Sequence, residues 1–172
     1  MANIARDIFK AYDIRGIVGK TLTDEAAYLI GKAIATKAAE KGITRIALGR
    51  DGRLSGPGLM AQIQRGFTDS GIDVLNVGMV ATPMLYFAAI NECGGSGVMI
   101  TGSHNPPDYN GFKMMLGGDT LAGEAIQELL AIVEKDGFVA ADKQGSVTEK
   151  DISGEYHNNI VGHIKLKRPM KI

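Results

Sequence analysis

A chain of 172 residues with 45% hydrophobic side chains is long enough to bury the core of one ordinary domain without disulfides or a structural metal. Nineteen basic and nineteen acidic side chains cancel, which excludes the broad positive field that draws a protein to nucleic acid or to an anionic membrane, so any anion recognition must be local. The one cysteine, Cys93, excludes an internal disulfide and reads as a small buried apolar side chain in a reducing compartment; charges at Arg6, Asp7 and Lys10 interrupt the apolar run that a signal peptide or membrane span needs, and the expected location is cytoplasmic.

In chain order, Thr23 is placed to cap a helix with Asp24 and Glu25 in its first turn, an inward face of Ala27, Ile30, Ile34 and Ala38, and a stop at Gly42. A strand, Arg45 to Leu48, follows at once. Ser55 is the next expected cap, ahead of Leu59, Ile63 and Phe67 at helical spacing, with Gly71 ending that helix before a strand at Val74 to Val77. Thr82 and Pro83 open a third, short helix, and Val98 to Ile100 reads as a buried strand. Right-handed crossovers would make these three strands parallel, with their C-terminal ends on one edge.

That edge carries GRDGRLSG at 49–56, GMVATP at 78–83 and TGSHNPP at 101–107. After a turn from Asp108 to Gly111, Phe112 to Leu116 can return antiparallel, closing a hairpin with a long loop and making the sheet mixed. A helix with Ile126, Leu129, Leu130 and Val133 on one face ends before Gly137; residues 139–145 read as a loop and Ile152 to Ile164 as a further helix. The expected fold is α/β, three layers (α/β/α) around a mixed, mainly parallel sheet, with residues 1–150 as the folded unit and 151–172 as a C-terminal helix and linker. Met79, Met84, Met99, Met114 and Met115 are expected to fill the core.

The densest cluster of unusual chemistry is TGSHNPPDYNGFK, Thr101 to Lys113. Gly102 allows close approach to the backbone, Pro106 and Pro107 stiffen the loop, and a rigid loop at a strand end is a good place to present a hydroxyl. The plainer alternative is a surface turn in which Ser103 bonds its own backbone. A serine hydrolase is disfavoured: if the segment is extended, Ser103 and His104 point to opposite sides, and no GxSxG turn is present. Neither GxGxxG nor GxxxxGK[ST] follows a strand, and His157 and His163 have no nearby thiolate for zinc. Arg50, Asp51 and Arg53 read as a structural turn leading to Ser55.

TGSHNPPDYNGFK resembles the phosphoserine loop of the α-D-phosphohexomutase superfamily, and AYDIRG at 11–16 and GRDGRLSG at 49–56 resemble that superfamily's other first-domain motifs in the same order, most closely those of the bacterial phosphomannomutase/phosphoglucomutase branch. The resemblance implies that Ser103 is phosphorylated, gives its phosphoryl group to a hexose phosphate and takes the other back from a hexose 1,6-bisphosphate, moving phosphate between C1 and C6. It implies that the phosphate on Ser103 is also a ligand of Mg²⁺, that Tyr12 contacts the sugar, and that Arg15, His104 and Lys113 line the transfer site. Read without the resemblance, Tyr12 is equally a core or rim aromatic, and Arg15 and Lys113 are solvated charges. The general acid or base is open between His104 and Lys113.

The resemblance also implies three further domains: a DGDGDR-type loop holding the Mg²⁺, a GEMSGH-type sugar loop, and a phosphate-binding loop. None of these occurs in the 172 residues. Two readings follow: the phosphoserine domain of a larger mutase, expected to be inactive alone, or a short binding or regulatory module that kept the fold. The expected partners are mannose or glucose phosphates and the missing domains.

Overall fold

These periods resolve, in a computed structural model that describes residues 4–168, into a sheet covered on both faces. The elements are β1 (Ile14–Ile17), α1 (Asp24–Glu40), β2 (Arg45–Arg50), α2 (Gly56–Asp69), β3 (Asp73–Met79), α3 (Thr82–Glu92), β4 (Gly97–Ile100), β5 (Tyr109–Leu116), β6 (Asp119–Thr120), α4 (Glu124–Glu134), β7 (Val147–Glu149) and α5 (Ser153–His163). The seven-stranded sheet runs β1-β5-β4-β2-β3-β7, with β6 paired to β5. Strands β4, β2, β3 and β7 are parallel neighbours, whereas β5 is antiparallel to both β4 and β1. The expected three-layer fold with a mixed sheet is therefore the one observed.

One apolar layer joins α1, α2 and α4 to the sheet through Ile30, Ile34, Ile63, Phe67, Ile126 and Leu129, all fully buried. The other packs α3 against the opposite face around Leu75, Leu85, Met99 and Met115. Each large side chain among them contributes about 1.5–3 kcal/mol through its removal from water. Thr23 caps α1 as expected, its Oγ1 accepting from the Ala26 N–H at 3.1 Å.

Several expectations are corrected. Ser55 holds the N-cap position of α2 but does not cap it: its backbone is already helical, which turns the hydroxyl from the free amides, and Ser55 Oγ instead accepts from Asn110 Nδ2 at 2.9 Å. Helix α4 does end before Gly137, and the left-handed residue that follows it is Asp136. Met99, Met114 and Met115 are buried and Met84 packs on the α3 layer, but Met79, at the open end of β3, is 64% exposed. Strand β7 had no apolar alternation to announce it: its three residues are exposed at the sheet edge, and only pairing to β3 makes it a strand. The last helix stands beside α3, where Tyr156 meets Phe87 edge-on at 5.6 Å between ring centres. The final residues of the expected linker, 169–172, lie outside the described residues. No helix among the described residues is long and apolar enough to cross a membrane.

Candidate active site

The C-terminal ends of β2, β3 and β4 share one edge, as parallel strands must, and the 101–108 loop rises there between β4 and β5. Thr101 extends the β4–β5 ladder by one bond, its N–H donating to the Gly111 carbonyl at 3.0 Å. Beyond it the chain turns sharply: Ser103 has φ +51°, a left-handed conformation uncommon outside glycine. The Ser103 N–H is held by Thr101 Oγ1 at 2.9 Å, and the residue itself is exposed.

This conformation brings together two side chains that an extended segment would have separated. His104 Nδ1 lies 3.3 Å from Ser103 Oγ. The expectation that these neighbours point apart is overturned, because alternation of side chains belongs to extended backbone and the loop is not extended at Ser103. An exposed hydroxyl with an imidazole at hydrogen-bond range has a proton acceptor or donor at hand.

Arg15 sits on β1 opposite Gly111 of β5. It is only 8% exposed; its Nη1 donates to the Thr101 carbonyl at 2.9 Å and its Nη2 pairs with Asp13. The guanidinium thus lies against the base of the serine loop with its charge matched, not as a solvated cation. Lys113 lies in the middle of β5, which begins at Tyr109, rather than near the strand's start. It pairs with Met99, half-buried, and alternation places it on the same sheet face as Gly111 and Met115, hence on the face of Arg15. Diagonal neighbours on adjacent strands are within reach of long side chains. Among the described residues Lys113 makes no ion pair or side-chain hydrogen bond of its own. Tyr12, two residues ahead of β1, is 80% exposed.

A cleft of about 700 Å³ opens beside the loop, lined by Val18, Asp51, Arg53, Leu54, Ser103 and Pro107 among others. Ser103 is on this lining; Tyr12, Arg15, His104 and Lys113 are not.

Residues read as a plain turn also belong to the site. Arg53 Nη1 donates to the carbonyls of Pro106 and Tyr109 at 2.7 and 3.0 Å, and its Nη2 to those of Asn105 and Ser103 at 2.7 and 3.1 Å. Asp51 accepts from the Gly102 N–H at 3.1 Å and from the Arg53 N–H at 3.0 Å. Only the second contact, two residues apart, had a signal in the sequence, the Asp-x-Arg spacing of a side-chain-closed turn. The others join segments some fifty residues apart.

A family model described as phosphoglucomutase/phosphomannomutase, alpha/beta/alpha domain I, matches residues 6–140. The chain belongs to this family. Similar proteins include a phosphoglucomutase of Neisseria meningitidis serogroup A / serotype 4A, 94% identical over 100% of this chain and 37% of that protein. A phosphomannomutase/phosphoglucomutase of Pseudomonas aeruginosa strain PAO1 is 53% identical over 96% of this chain and 35% of that protein. Among solved structures, a phosphoglucomutase/phosphomannomutase family protein from Burkholderia thailandensis superposes with a TM-score of 0.91 at 43% identity, covering 97% of this chain and 38% of that one. The chain spans between a third and two fifths of the length of these relatives, and the family match takes in β1 to β6 and the 101–108 loop but ends before β7.

Proposed function

We propose that this chain is the phosphoryl-carrying domain of a hexose-phosphate mutase, with Ser103 as the carrier. The observation that supports this best is the presentation of Ser103: an exposed hydroxyl on a tied-down loop, with His104 Nδ1 at 3.3 Å and the Arg15 guanidinium against the loop's first residue.

The chemistry is two phosphoryl transfers of opposite sense. In the first, the bond between Ser103 Oγ and phosphorus breaks while a hydroxyl oxygen of a hexose phosphate bonds to that phosphorus, and the hydroxyl proton passes to a base; Oγ leaves as the alkoxide and recovers a proton. A hexose 1,6-bisphosphate results. In the second, Ser103 Oγ gives its proton to a base and bonds to the phosphorus of the other phosphoryl group while that phosphorus parts from its sugar oxygen, which leaves as the alkoxide and takes up a proton; the phosphoserine is restored and phosphate has moved between C1 and C6. His104 is adjacent to Oγ and is the nearer candidate for handling its proton, and Lys113 is the alternative. The charge that spreads over the equatorial oxygens in transfer calls for fixed cations, and Arg15 and Lys113 are the two that fill this role. Tyr12, 80% exposed, is the proposed contact for the sugar.

The family's Mg²⁺ finds one fitting donor in this chain. Phosphate oxygens on exposed Ser103 suit a hard cation, whereas no group of three or more His, Cys, Asp or Glu side chains capable of holding a metal is gathered among the described residues. Bound there, the ion would neutralise phosphate charge. With a single ligand from this chain, Mg²⁺ binding and mutase turnover by the 172 residues alone are expected to be negligible. Mannose and glucose phosphates are the proposed substrates and the cytoplasm the proposed location.

The test joins this chain to the remaining residues of the meningococcal relative and assays glucose 1-phosphate and mannose 1-phosphate with catalytic bisphosphate. Ser103→Ala should lose turnover while keeping its melting temperature, and intact mass should show one phosphoryl group on the parent and none on the variant. Turnover by Ser103→Ala near that of the parent would refute the assignment.

A further inference from the structure

The serine loop turns four backbone carbonyls, those of Ser103, Asn105, Pro106 and Tyr109, toward one point, and converging carbonyl dipoles repel unless a donor stands between them. The Arg53 guanidinium stands there. It is planar, permanently charged and presents its donors in a fixed fork, so one side chain satisfies all four acceptors at once; a lysine ammonium, with three donors on a flexible stem, lacks that geometry. Its Nε lies 3.6 Å from Asp51 Oδ2, the same oxygen that accepts the Gly102 N–H.

Two details show that loop and guanidinium are built for each other. A Cβ at Gly102 would fall 2.0 Å from Arg53 Nε, so glycine is required there by the clamp itself. Ser103 is gripped at both ends of its own backbone, N–H by Thr101 Oγ1 and C=O by Arg53 Nη2, and it is the loop residue with the rare left-handed φ. A strained conformation persists only where its surroundings over-determine it.

We propose that Arg53, oriented by Asp51, is a positioning residue that fixes where Ser103 Oγ stands for phosphoryl transfer. The inference rests on the reading of Ser103 as the phosphoryl carrier. Arg53 touches no reacting atom in this arrangement; it acts through the Ser103 backbone.

The experiment uses the same chimaera with the meningococcal relative and compares Arg53→Lys, Gly102→Ala and Ser103→Ala. Arg53→Lys keeps the charge but breaks the four-way grip, while Gly102→Ala keeps Arg53 and displaces its guanidinium. A misplacement of about 1 Å at a reacting group costs on the order of 10²-fold in rate. Both clamp variants should therefore lower single-turnover transfer from the phosphorylated enzyme about 100-fold with KM changed less than about 3-fold. Amide exchange should rise across 102–109 and stay unchanged in β4 and in β5 beyond Tyr109. Transfer within twofold of the parent in both clamp variants, with Ser103→Ala dead, would overturn the clamp and leave the carrier reading intact. Sustained turnover in Ser103→Ala would overturn both. Global melting lowered in both clamp variants in proportion to lost activity, with no selective rise in loop exchange, would assign Arg53 to stability alone and overturn its positioning role.

Discussion

Gly111→Ala tests the join between the edge strand and the serine hairpin. A Cβ at Gly111 would fall 1.9 Å from the Ile14 carbonyl oxygen of β1, where ordinary contact begins at 3.4 Å. The obstacle is backbone, so β1 must retreat by roughly 1.5 Å rather than a side chain swing away. That retreat carries Arg15 with it, whose Nη1 now stands 2.9 Å from the Thr101 carbonyl, and disturbs its buried pairing with Asp13. Overpacking typically costs about 1–3 kcal/mol, and a rigid backbone obstacle places this case near 3 kcal/mol. For a chain of this size each kcal/mol lowers Tm by about 2–4 °C, so the expected fall is about 6–12 °C. Calorimetry of the 172-residue chain measures it, with Gly58→Ala as control: Gly58 is in the first turn of α2, and a Cβ there meets nothing within 4 Å. The control should match or slightly exceed the parent, because alanine loses less backbone freedom in a helix. A Gly111→Ala melt within about 2 °C of the parent would refute the close approach of β1 to β5 and the seating of Arg15 that depends on it.

Lys113→Ala in the chimaera should lower single-turnover transfer about 10²-fold with little change in KM, as expected for a cation that acts mainly on transition-state charge; an unchanged transfer rate would contradict that role. Burial pushes the Cys93 thiol up to about 11, so at pH 8 only about one thiol in a thousand is ionised. A disulfide reagent should label it far more slowly in the native chain than in urea, and equal rates would show that the site is open. The Asp73 carboxyl is held below its ordinary value, first by the backbone N–H of Ser146 and then by its hydroxyl, and this contact ties the start of β7 to β3. A carboxyl lowered by folding contributes stability that is complete above its unfolded value near 3.8 and is lost as pH falls through the folded one. Urea midpoints should therefore drop as pH falls below about 4, and Asp73→Asn should make that drop shallower; an unchanged slope would remove Asp73 as its source.

What the sequence determined by itself was what local pattern controls. The faces of α1, α2 and α4 were legible because burial repeats with the helical turn, and Thr23 because a cap lies three residues from the amide it satisfies. The hairpin around Ser103 was legible from its turn residues, and the family from the motifs at 11–16, 49–56 and 101–113. Only the tertiary structure decided the rest. Strand β7 exists by pairing with β3 and carries no apolar period of its own. Ser55 gives up its cap to Asn110, fifty-five residues away, because a buried amide needs an acceptor. The imidazole of His104 reaches Ser103 through one left-handed φ that no alternation rule contains. Arg53 looked like a turn residue because its four acceptors are backbone carbonyls: a carbonyl is the same in every residue, so a sequence of side chains carries no mark of where such acceptors will converge.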